Sequence, residues 1–202
     1  GGIHGLVSCS EWTGVQLGLL LDEAGVQPDG TWILAESADA AGMSRSVPLK
    51  EAHEQGILAL FQNGERLRPE QGYPLRLLMP GWEGNLNVKW LHRIKVPHGP
   101  TMAKDETSKY TQSLKDGKAR QFNFIQPVKS VITRPSGNMT MSGPGYYEIS
   151  GIAWSGHGKI AKVEISMDGG KTWTEAEMPG PVLPKCLSRF RLPWEWDGKP
   201  VL

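Results

Sequence analysis

The chain has 202 residues, and its hydrophobic content of 39% is enough for one large or two small domains with buried cores. A formal net charge of +1 excludes the broad basic surface of a nucleic-acid-binding protein, so any site for anions must be a local cluster of charges. No apolar stretch approaches the roughly 20 residues that span a bilayer. We therefore expect a globular protein with no membrane span and no nucleic-acid partner.

Cysteine and histidine usage argues against a metal or haem centre built from this segment. Cys9 and Cys186 are too few, and too far apart in the sequence, for a disulfide framework or a zinc site, and both are predicted to be free or buried thiols. No Cys-x-x-Cys-His motif is present, so we expect no covalent c-type haem here. The five histidines show no metal-binding spacing. From the Gly1-Gly2 start without a Met we expect that the natural N-terminus has been removed.

The first predicted element is a helix. The residues from Thr13 to Gln16 have the form of a capping box, and Leu19 and Leu20 continue an apolar pattern at helical spacing. Gly25 supplies a stop signal. We expect a helix from about Thr13 to Ala24.

Short strands and one helix are predicted next. Pro48 begins a short helix that ends before Gly56, and Asn63-Gly64 forms a tight turn. The apolar runs that predict strands cover residues 32–35, 57–62, 73–79 and 88–96. This alternation indicates a mixed α and β domain in the first part of the chain.

The segment Glu70–Leu91 stands out chemically. A strand that carries Arg76 among apolar residues leads into a loop with glycines at 81 and 84, which ends on Lys89. A guanidinium on an apolar strand is costly unless it is paired, and glycines let the backbone approach a ligand closely. This arrangement is suited to holding oxyanions.

The second part of the chain has a different character. Residues 95–121 are polar and irregular, which predicts a long surface connection. Past Ile125 the pattern becomes strand-like: Val163, Ile165 and Met167 alternate with polar residues, and the segment from Asp168 to Lys171 predicts a hairpin turn. The pattern is typical of an immunoglobulin-like sandwich, but residues 126–202 are fewer than the roughly 100 of a complete one. We expect this domain to be truncated.

Three blocks together resemble the sulfite oxidase family of molybdenum enzymes: Ser8–Val15, Gln71–Leu91 and Gly151–Trp173. Within that family the chain is similar to the bacterial branch of sulfane and sulfite dehydrogenase molybdenum subunits. The resemblance implies an α+β fold class. Residues 1–125 would be part of a sulfite oxidase-type molybdopterin domain, and residues 126–202 part of an immunoglobulin-like β-sandwich dimerisation domain.

The resemblance also implies a set of site residues. It places Arg76, Tyr110 and Arg189 in the substrate pocket as catalytic residues. The residues that it places at the cofactor are Asp39, Gln71, Arg76, Asn87, Val88 and Lys89. Gln71 stands where many relatives have histidine, and an amide can still donate a hydrogen bond but cannot carry a proton charge.

No metal ligand is expected in this chain. The family binds molybdenum through a cysteine thiolate in a Cys-x-Gly-Asn context, which precedes the block around Trp12. Cys9 is followed by Ser10-Glu11-Trp12, so the ligand role does not transfer to it. The cofactor implied is molybdopterin with molybdenum, with the metal ligand outside the chain.

From the residues alone, other interpretations stay open. Arg76 could be an ion-paired arginine, Lys89 a solvated lysine at a strand start, Tyr110 a packing residue, and Asp39 a turn residue. Arg191 lies beside Arg189 and leaves that assignment ambiguous. The side-chain pattern therefore does not by itself separate a binding site from ordinary packing.

Two functions from different classes follow. The resemblance implies molybdenum-dependent oxidation of a reduced sulfur anion, either sulfite or a sulfane on a carrier protein, with electrons passed to a c-type cytochrome subunit. It also implies a homodimer formed through the second domain, and a periplasmic location. The alternative is a non-catalytic binding or dimerisation module, because the chain lacks the metal-binding cysteine.

Overall fold

The computed structural model describes residues 7–137 and 139–199. The chain divides into two compact units between Ile125 and Gln126. The first unit contains residues 10–125. The second contains residues 126–199 apart from residue 138, and it also includes residues 7–9, which the sequence-based division placed in the first domain.

The first unit combines two larger antiparallel sheets and a small two-stranded hairpin with three short α-helices. The helices are α1 Leu17–Ala24, α2 Leu49–Gln55 and α3 Lys104–Ser108. The strands are β1 Trp12–Gln16, β2 Trp32–Ser37, β3 Ser44–Pro48, β4 Ile57–Gln62, β5 Glu65–Arg66, β6 Arg76–Leu78, β7 Leu91–Lys95, β8 Gln112–Ser113 and β9 Ala119–Arg120. One sheet has β4 between β1 on one side and β5 and β6 on the other, and the second sheet has the order β3-β2-β7.

The predicted start of the first helix is wrong. Residues Thr13–Gln16 do not cap a helix but pair with β4, with Gln16 opposite Ile57. Gly14 makes this pairing possible, because a Cβ there would lie 2.0 Å from the Leu58 carbonyl oxygen. The strand ladder thus outcompetes the local capping pattern. Gly25 ends α1 in the left-handed conformation, as predicted, with φ of 70°.

Other predicted elements are confirmed, some with shorter bounds. The observed β2, α2 and β4 cover the predicted positions, and Asn63 and Gly64 form the turn with φ of 52° and 78°. The strand predicted over 73–79 is limited to β6, and that predicted over 88–96 to β7. A core of Leu, Ile, Val, Ala, Met and Trp side chains packs between the helices and sheets; it includes Leu17, Ile33, Val47, Leu77, Met79, Leu86 and Val88.

The stretch 95–121 is not wholly a surface connection. It contains α3, and Glu106 on this helix is 1% exposed. The remainder is more exposed and includes the small β8–β9 hairpin. Because the segment is polar throughout, its sequence did not indicate that Glu106 is buried against β3.

The second unit is built from strands. These are β10 Lys129–Arg134, β11 Gly145–Trp154, β12 Glu164–Ile165, β13 Thr174–Glu175 and β14 Ser188–Trp196. The sheet order is β10-β11-β14, and β12 and β13 form a separate hairpin. Ile149, Val163, Ile165 and Phe190 belong to one buried core. The alternation predicted at 163–167 is therefore confirmed, and the strand-rich unit matches the expected sandwich class.

None of the helices in the described part of the chain is long and apolar enough to cross a membrane.

The hairpin turn between β12 and β13 depends on one carboxylate. Asp168 Oδ1 accepts hydrogen bonds from the backbone N–H groups of Lys171 (3.0 Å) and Thr172 (2.9 Å), and Oδ2 accepts one from the Thr172 hydroxyl (2.7 Å). Ser166 Oγ donates to Oδ1 at 2.8 Å. The hydrogen bonds from Thr172, then that from Ser166, lower the pKa of Asp168 to about 2. Because the ionised form is favoured, the turn is strongest when Asp168 is charged.

We predict that Asp168→Asn lowers the melting temperature of the second unit at pH 6 and that the difference from wild type shrinks in acid. A folded-state pKa below the ordinary value of 3.8 gives stability that is present above about pH 4 and is lost as the pH falls towards 2. Thermal unfolding of both proteins between pH 6 and pH 2 measures this. A melting-temperature difference that stays constant over this range would contradict the proposed role of the charge.

Candidate functional site

Arg76 is the centre of one buried polar cluster in the first unit. It lies on β6 opposite Ala59 and is 7% exposed. Its Nη1 donates to the Gln71 carbonyl oxygen and its Nη2 to the Asn87 carbonyl oxygen, both at 3.1 Å. The guanidinium also stacks on the ring of Trp12, 4.7 Å from the centroid. The Arg76 side chain thereby links β6 by hydrogen bonds to the turn before it and to the loop after it.

The charge of Arg76 is not balanced by a carboxylate within the described residues. Its two hydrogen bonds go to carbonyl oxygens, and its Nε is buried without a partner in that part of the chain. Burial lowers the pKa of Arg76 to about 10, so the group stays cationic at neutral pH. A buried guanidinium without an acid and with a free N–H donor is suited to an anionic ligand.

The loop after β6 brings the predicted cofactor residues together. Leu77 N donates to the Val88 carbonyl oxygen at 2.9 Å, and Lys89 Nζ donates to the Glu70 carbonyl oxygen at 2.8 Å. Gly72, at φ of 105°, packs against Lys89, and a Cβ on this glycine would lie 2.9 Å from Lys89 Cβ. Gln71, Arg76, Asn87, Val88 and Lys89 therefore form one contiguous group, called the Arg76 cluster below.

Two members of the Arg76 cluster, Asn87 and Val88, make contacts within the first unit that support the loop itself. The Asn87 side chain accepts a hydrogen bond from Met79 N at 2.7 Å and donates one to the Glu83 carbonyl oxygen at 3.0 Å. Val88 is 2% exposed and belongs to the core. These contacts hold the shape of the loop, and they leave the half-buried Lys89 ammonium as its most available charge.

Asp39 lies in a turn that adjoins the same loop. Its Oδ1 accepts a hydrogen bond from Met43 N at 3.1 Å, and its own backbone N–H donates to Ser37 Oγ at 3.2 Å. The preceding residue, Ala38, donates its N–H to the Trp90 carbonyl oxygen at 2.9 Å. The turn role that the residues alone allowed is thus observed, at a position next to the Arg76 cluster.

Tyr110 belongs to a second buried cluster, which the sequence did not predict. The Arg45 guanidinium lies over its ring, 4.7 Å from the centroid. Arg45 Nε pairs with Glu106 Oε1 at 3.3 Å, and Ser46 N donates to the same oxygen at 2.5 Å. The side chains of Arg45 and Glu106 are both 0% exposed. We call these residues the Arg45 cluster.

The Arg45 cluster holds unused hydrogen-bonding capacity. Arg45 Nη1 and Nη2 and Glu106 Oε2 are buried without partners in the part of the chain that the structure describes. Burial lowers the pKa of Arg45 and raises that of Glu106, and their mutual attraction opposes both shifts. Arg45 lies between Ser44 and Ser46, so the sequence lacked the signal that singled out Arg76, an arginine among apolar residues.

The two clusters meet the same loop. Strand β3, which carries Arg45 and Ser46, contacts the short 3₁₀ turn Gly84–Leu86, and Asn87 follows that turn directly. Glu83, at the start of the loop, is close enough to Arg45 to favour its charged form. The first unit thus concentrates two buried arginines around the segment 83–89.

Arg189 belongs to the second unit. It is exposed on β14, opposite Ile152 on β11, and it lines a cavity with Glu148 and Arg191. Arg191 is engaged in a two-pronged ion pair with Glu177, at 2.9 and 3.1 Å. The ambiguity between the two arginines is reduced, because Arg191 already has an acid partner.

Within residues 7–137 and 139–199, no group of three or more His, Cys, Asp or Glu side chains is arranged to hold a metal ion. The chemistry that these units offer to an anionic cofactor comes from cations, backbone N–H groups and a glycine-lined loop. The buried Nε of Arg76 fits a phosphate-bearing group in this respect.

Comparisons with known proteins match both units. Residues 2–104 match the model of the oxidoreductase molybdopterin binding domain, and residues 121–190 match that of the Mo-co oxidoreductase dimerisation domain. The crystal structure of the sulfane dehydrogenase SoxCD from Paracoccus pantotrophus is 48% identical with a TM-score of 0.91, covering 95% of this chain and 50% of that one.

Curated relatives give the same result at lower identity. Mitochondrial sulfite oxidase of Rattus norvegicus is 32% identical over 193 residues, which cover 87% of this chain and 35% of the relative. Nitrate reductase [NAD(P)H] of Hordeum vulgare is 30% identical over 225 residues, which cover 95% of this chain and 24% of the relative. The chain spans about a third of the length of the sulfite oxidases that it matches. It belongs to the sulfite oxidase family of molybdopterin-binding oxidoreductases, with a match to the molybdopterin binding domain followed along the chain by a match to the dimerisation domain.

Proposed function

We propose that the protein containing this chain is a molybdenum-dependent enzyme that oxidises a reduced sulfur anion. The observation that carries the proposal is Arg76, a buried cation with an unpartnered N–H donor and no carboxylate partner among the described residues. Family membership supplies the cofactor class, and the similarity to a sulfane dehydrogenase favours sulfur as the element oxidised. When bound, the molybdenum centre would supply the two-electron redox chemistry.

The residues of this chain would bind and orient the anionic groups of the cofactor and of the substrate. Lys89, whose ammonium donates to one backbone carbonyl, has donors left for the phosphate of the pterin. Arg76 would hold an anionic group near the loop, and Gln71, Asn87 and Val88 would keep that loop in shape. Asp39 would position the adjoining turn. Tyr110, whose ring is fixed under Arg45, would present its hydroxyl to the substrate.

The partner assignments are also proposals. We propose a small sulfur oxyanion or a sulfane on a carrier protein as substrate, a c-type cytochrome as electron acceptor, and a periplasmic location. The dimerisation-domain match supports a homodimer formed through the second unit. Arg189, exposed on that unit, would add a positive charge for the anionic substrate.

The test is metal and pterin analysis of the protein expressed from its full reading frame, beside the 202-residue chain. We expect about one molybdenum per full-length chain, and less pterin in the Lys89→Gln variant. Lys118→Gln is the matched control, because the Lys118 side chain is 79% exposed and its ammonium pairs with Asp116 at 3.9 Å. Cofactor loss in the control as well would remove Lys89 from the proposed site.

Activity measurements separate the substrate classes. The full-length enzyme is titrated with sulfite and with carrier-bound sulfane, and reduction of an added c-type cytochrome reports electron transfer. Turnover with only one of these two compounds assigns the substrate class of the enzyme. If the full-length protein holds no molybdenum, the non-catalytic binding and dimerisation module replaces the enzyme; that alternative is favoured by the lack of a Cys-x-Gly-Asn motif in these 202 residues.

A further inference from the structure

The two cysteines of the chain, which lie near opposite ends of the sequence, meet in the second unit. The two thiols are close enough in space for Cys9 to contribute to the raised pKa of Cys186. Both thiols are free: Cys9 is exposed and Cys186 is partly buried. The sequence separation that argued against a disulfide framework therefore does not describe their separation in space.

The surrounding backbone supports this contact independently. Val7 and Ser8, which precede Cys9, and Leu187, which follows Cys186, line the same cavity of about 620 Å³. Lys185, next to Cys186, donates its N–H to the Gly158 carbonyl oxygen at 3.2 Å, which anchors the loop before β14. Residues 7–9 are thus held against the loop that leads into β14.

We propose that Cys9 and Cys186 are a redox-active pair that closes to an intramolecular disulfide. The two sulfurs must approach to about 2.05 Å, which neighbouring side chains reach by rotation and small loop adjustments. The crosslink would tie the segment that precedes β1 to the strand-bearing unit. Neither family membership nor the proposed enzymatic function requires it.

The chemistry is thiol–disulfide exchange with a small-molecule disulfide such as oxidised glutathione. The sulfur of Cys9, the more exposed thiol, attacks one sulfur of the oxidant after losing its proton, and one glutathione leaves as a thiolate. Cys186 then loses its proton, its sulfur attacks Cys9 in the mixed disulfide, and the second glutathione leaves. Two protein thiols are oxidised to one disulfide, and one glutathione disulfide is reduced to two thiols.

Burial, together with the neighbouring Cys9 thiol, raises the pKa of Cys186. This supports the order of events, because a thiol that resists ionisation is a poor first nucleophile and serves better as the resolving group. Cys9 is also the sulfur that a dissolved oxidant meets first, because it is exposed.

The experiment equilibrates the folded chain, and the same chain in urea, with reduced and oxidised glutathione at several ratios. We expect that the crosslinked peptide pair containing Cys9 and Cys186 forms in the folded chain and is reversed by dithiothreitol. Because folding holds the thiols together, disulfide formation should be favoured about 100-fold or more over the unfolded chain. Mass spectrometry of non-reduced digests identifies the crosslinked peptides, and titration of free thiols measures the extent of disulfide formation.

Controls make the result specific. Cys186→Ser should leave Cys9 as a free thiol or a glutathione adduct, with no internal crosslink, and Cys9→Ser should do the same for Cys186. The oxidised wild-type chain should also melt at a higher temperature than the reduced one. Equal disulfide formation in the folded and unfolded chains, a crosslink between two chains, or stable glutathione adducts on wild type would each overturn the proposal.

Discussion

Glu106→Gln is expected to destabilise the first unit by about 3–5 kcal/mol. Breaking a buried ion pair by removing one partner leaves the other charge without compensation, and this carries a cost of that size. The side chains of Arg45 and Glu106 are both 0% exposed. Glutamine keeps the oxygen that accepts hydrogen bonds from Arg45 and Ser46, so the substitution removes mainly the charge. Urea denaturation of the 202-residue chain measures the change in the free energy of unfolding.

Two further variants locate the cause. Asp105→Asn, on the same helix, breaks only a partly exposed pair with Lys109 at 3.8 Å, and should cost less than about 1 kcal/mol. The double variant Arg45→Met with Glu106→Leu removes both charges and should recover most of the loss. If Glu106→Gln costs no more than Asp105→Asn, the Arg45 charge is compensated by another group.

Arg76→Gln is expected to cost about 2–4 kcal/mol. The substitution removes the donors that satisfy the buried carbonyl oxygens of Gln71 and Asn87, and a buried acceptor left unpaired costs about 1–3 kcal/mol. Stacking on Trp12 is lost as well. Arg76→Lys keeps the charge but cannot reach both carbonyl oxygens at once, so about half of the loss should remain.

The matched control for Arg76 is Arg93→Gln. Arg93 is 55% exposed and hydrogen-bonds to the Glu36 carboxylate at the surface, so the loss should stay below about 1 kcal/mol. The free energies of unfolding of the four chains, wild type included, are compared in urea. Equal losses for Arg76→Gln and Arg93→Gln would show that Arg76 is not a structural tie between the turn and the loop.

The same Arg76 variants bear on the proposed function. In the full-length protein, Arg76→Lys should retain more pterin than Arg76→Gln, because a cation remains available for an anionic group. Comparing the loss of pterin with the loss of stability separates binding from folding. Equal pterin contents in these two variants would limit the role of Arg76 to the fold.

Much of the fold could be predicted because its signals are local. The apolar run of β2, the proline before α2 and the Asn63-Gly64 turn each act through neighbouring residues, and the structure contains them all. Residues 13–16 are the exception: their capping pattern was outweighed by hydrogen bonds to β4, which is distant in sequence. The intrinsic helix preference of a few residues contributes less free energy than the hydrogen bonds of a paired strand.

The sequence by itself determined the family, the order of the two units and the continuous run from Gln71 to Lys89 that became the Arg76 cluster. Only the tertiary structure decided which groups meet: Arg45 with Glu106 and Tyr110, Arg76 with the carbonyl oxygens of its own loop, and Cys9 with Cys186. The physical reason is that burial and pairing arise from contacts between distant segments. Residue type and spacing encode the chemistry of a side chain, whereas its neighbours after folding set its charge, its partners and its exposure.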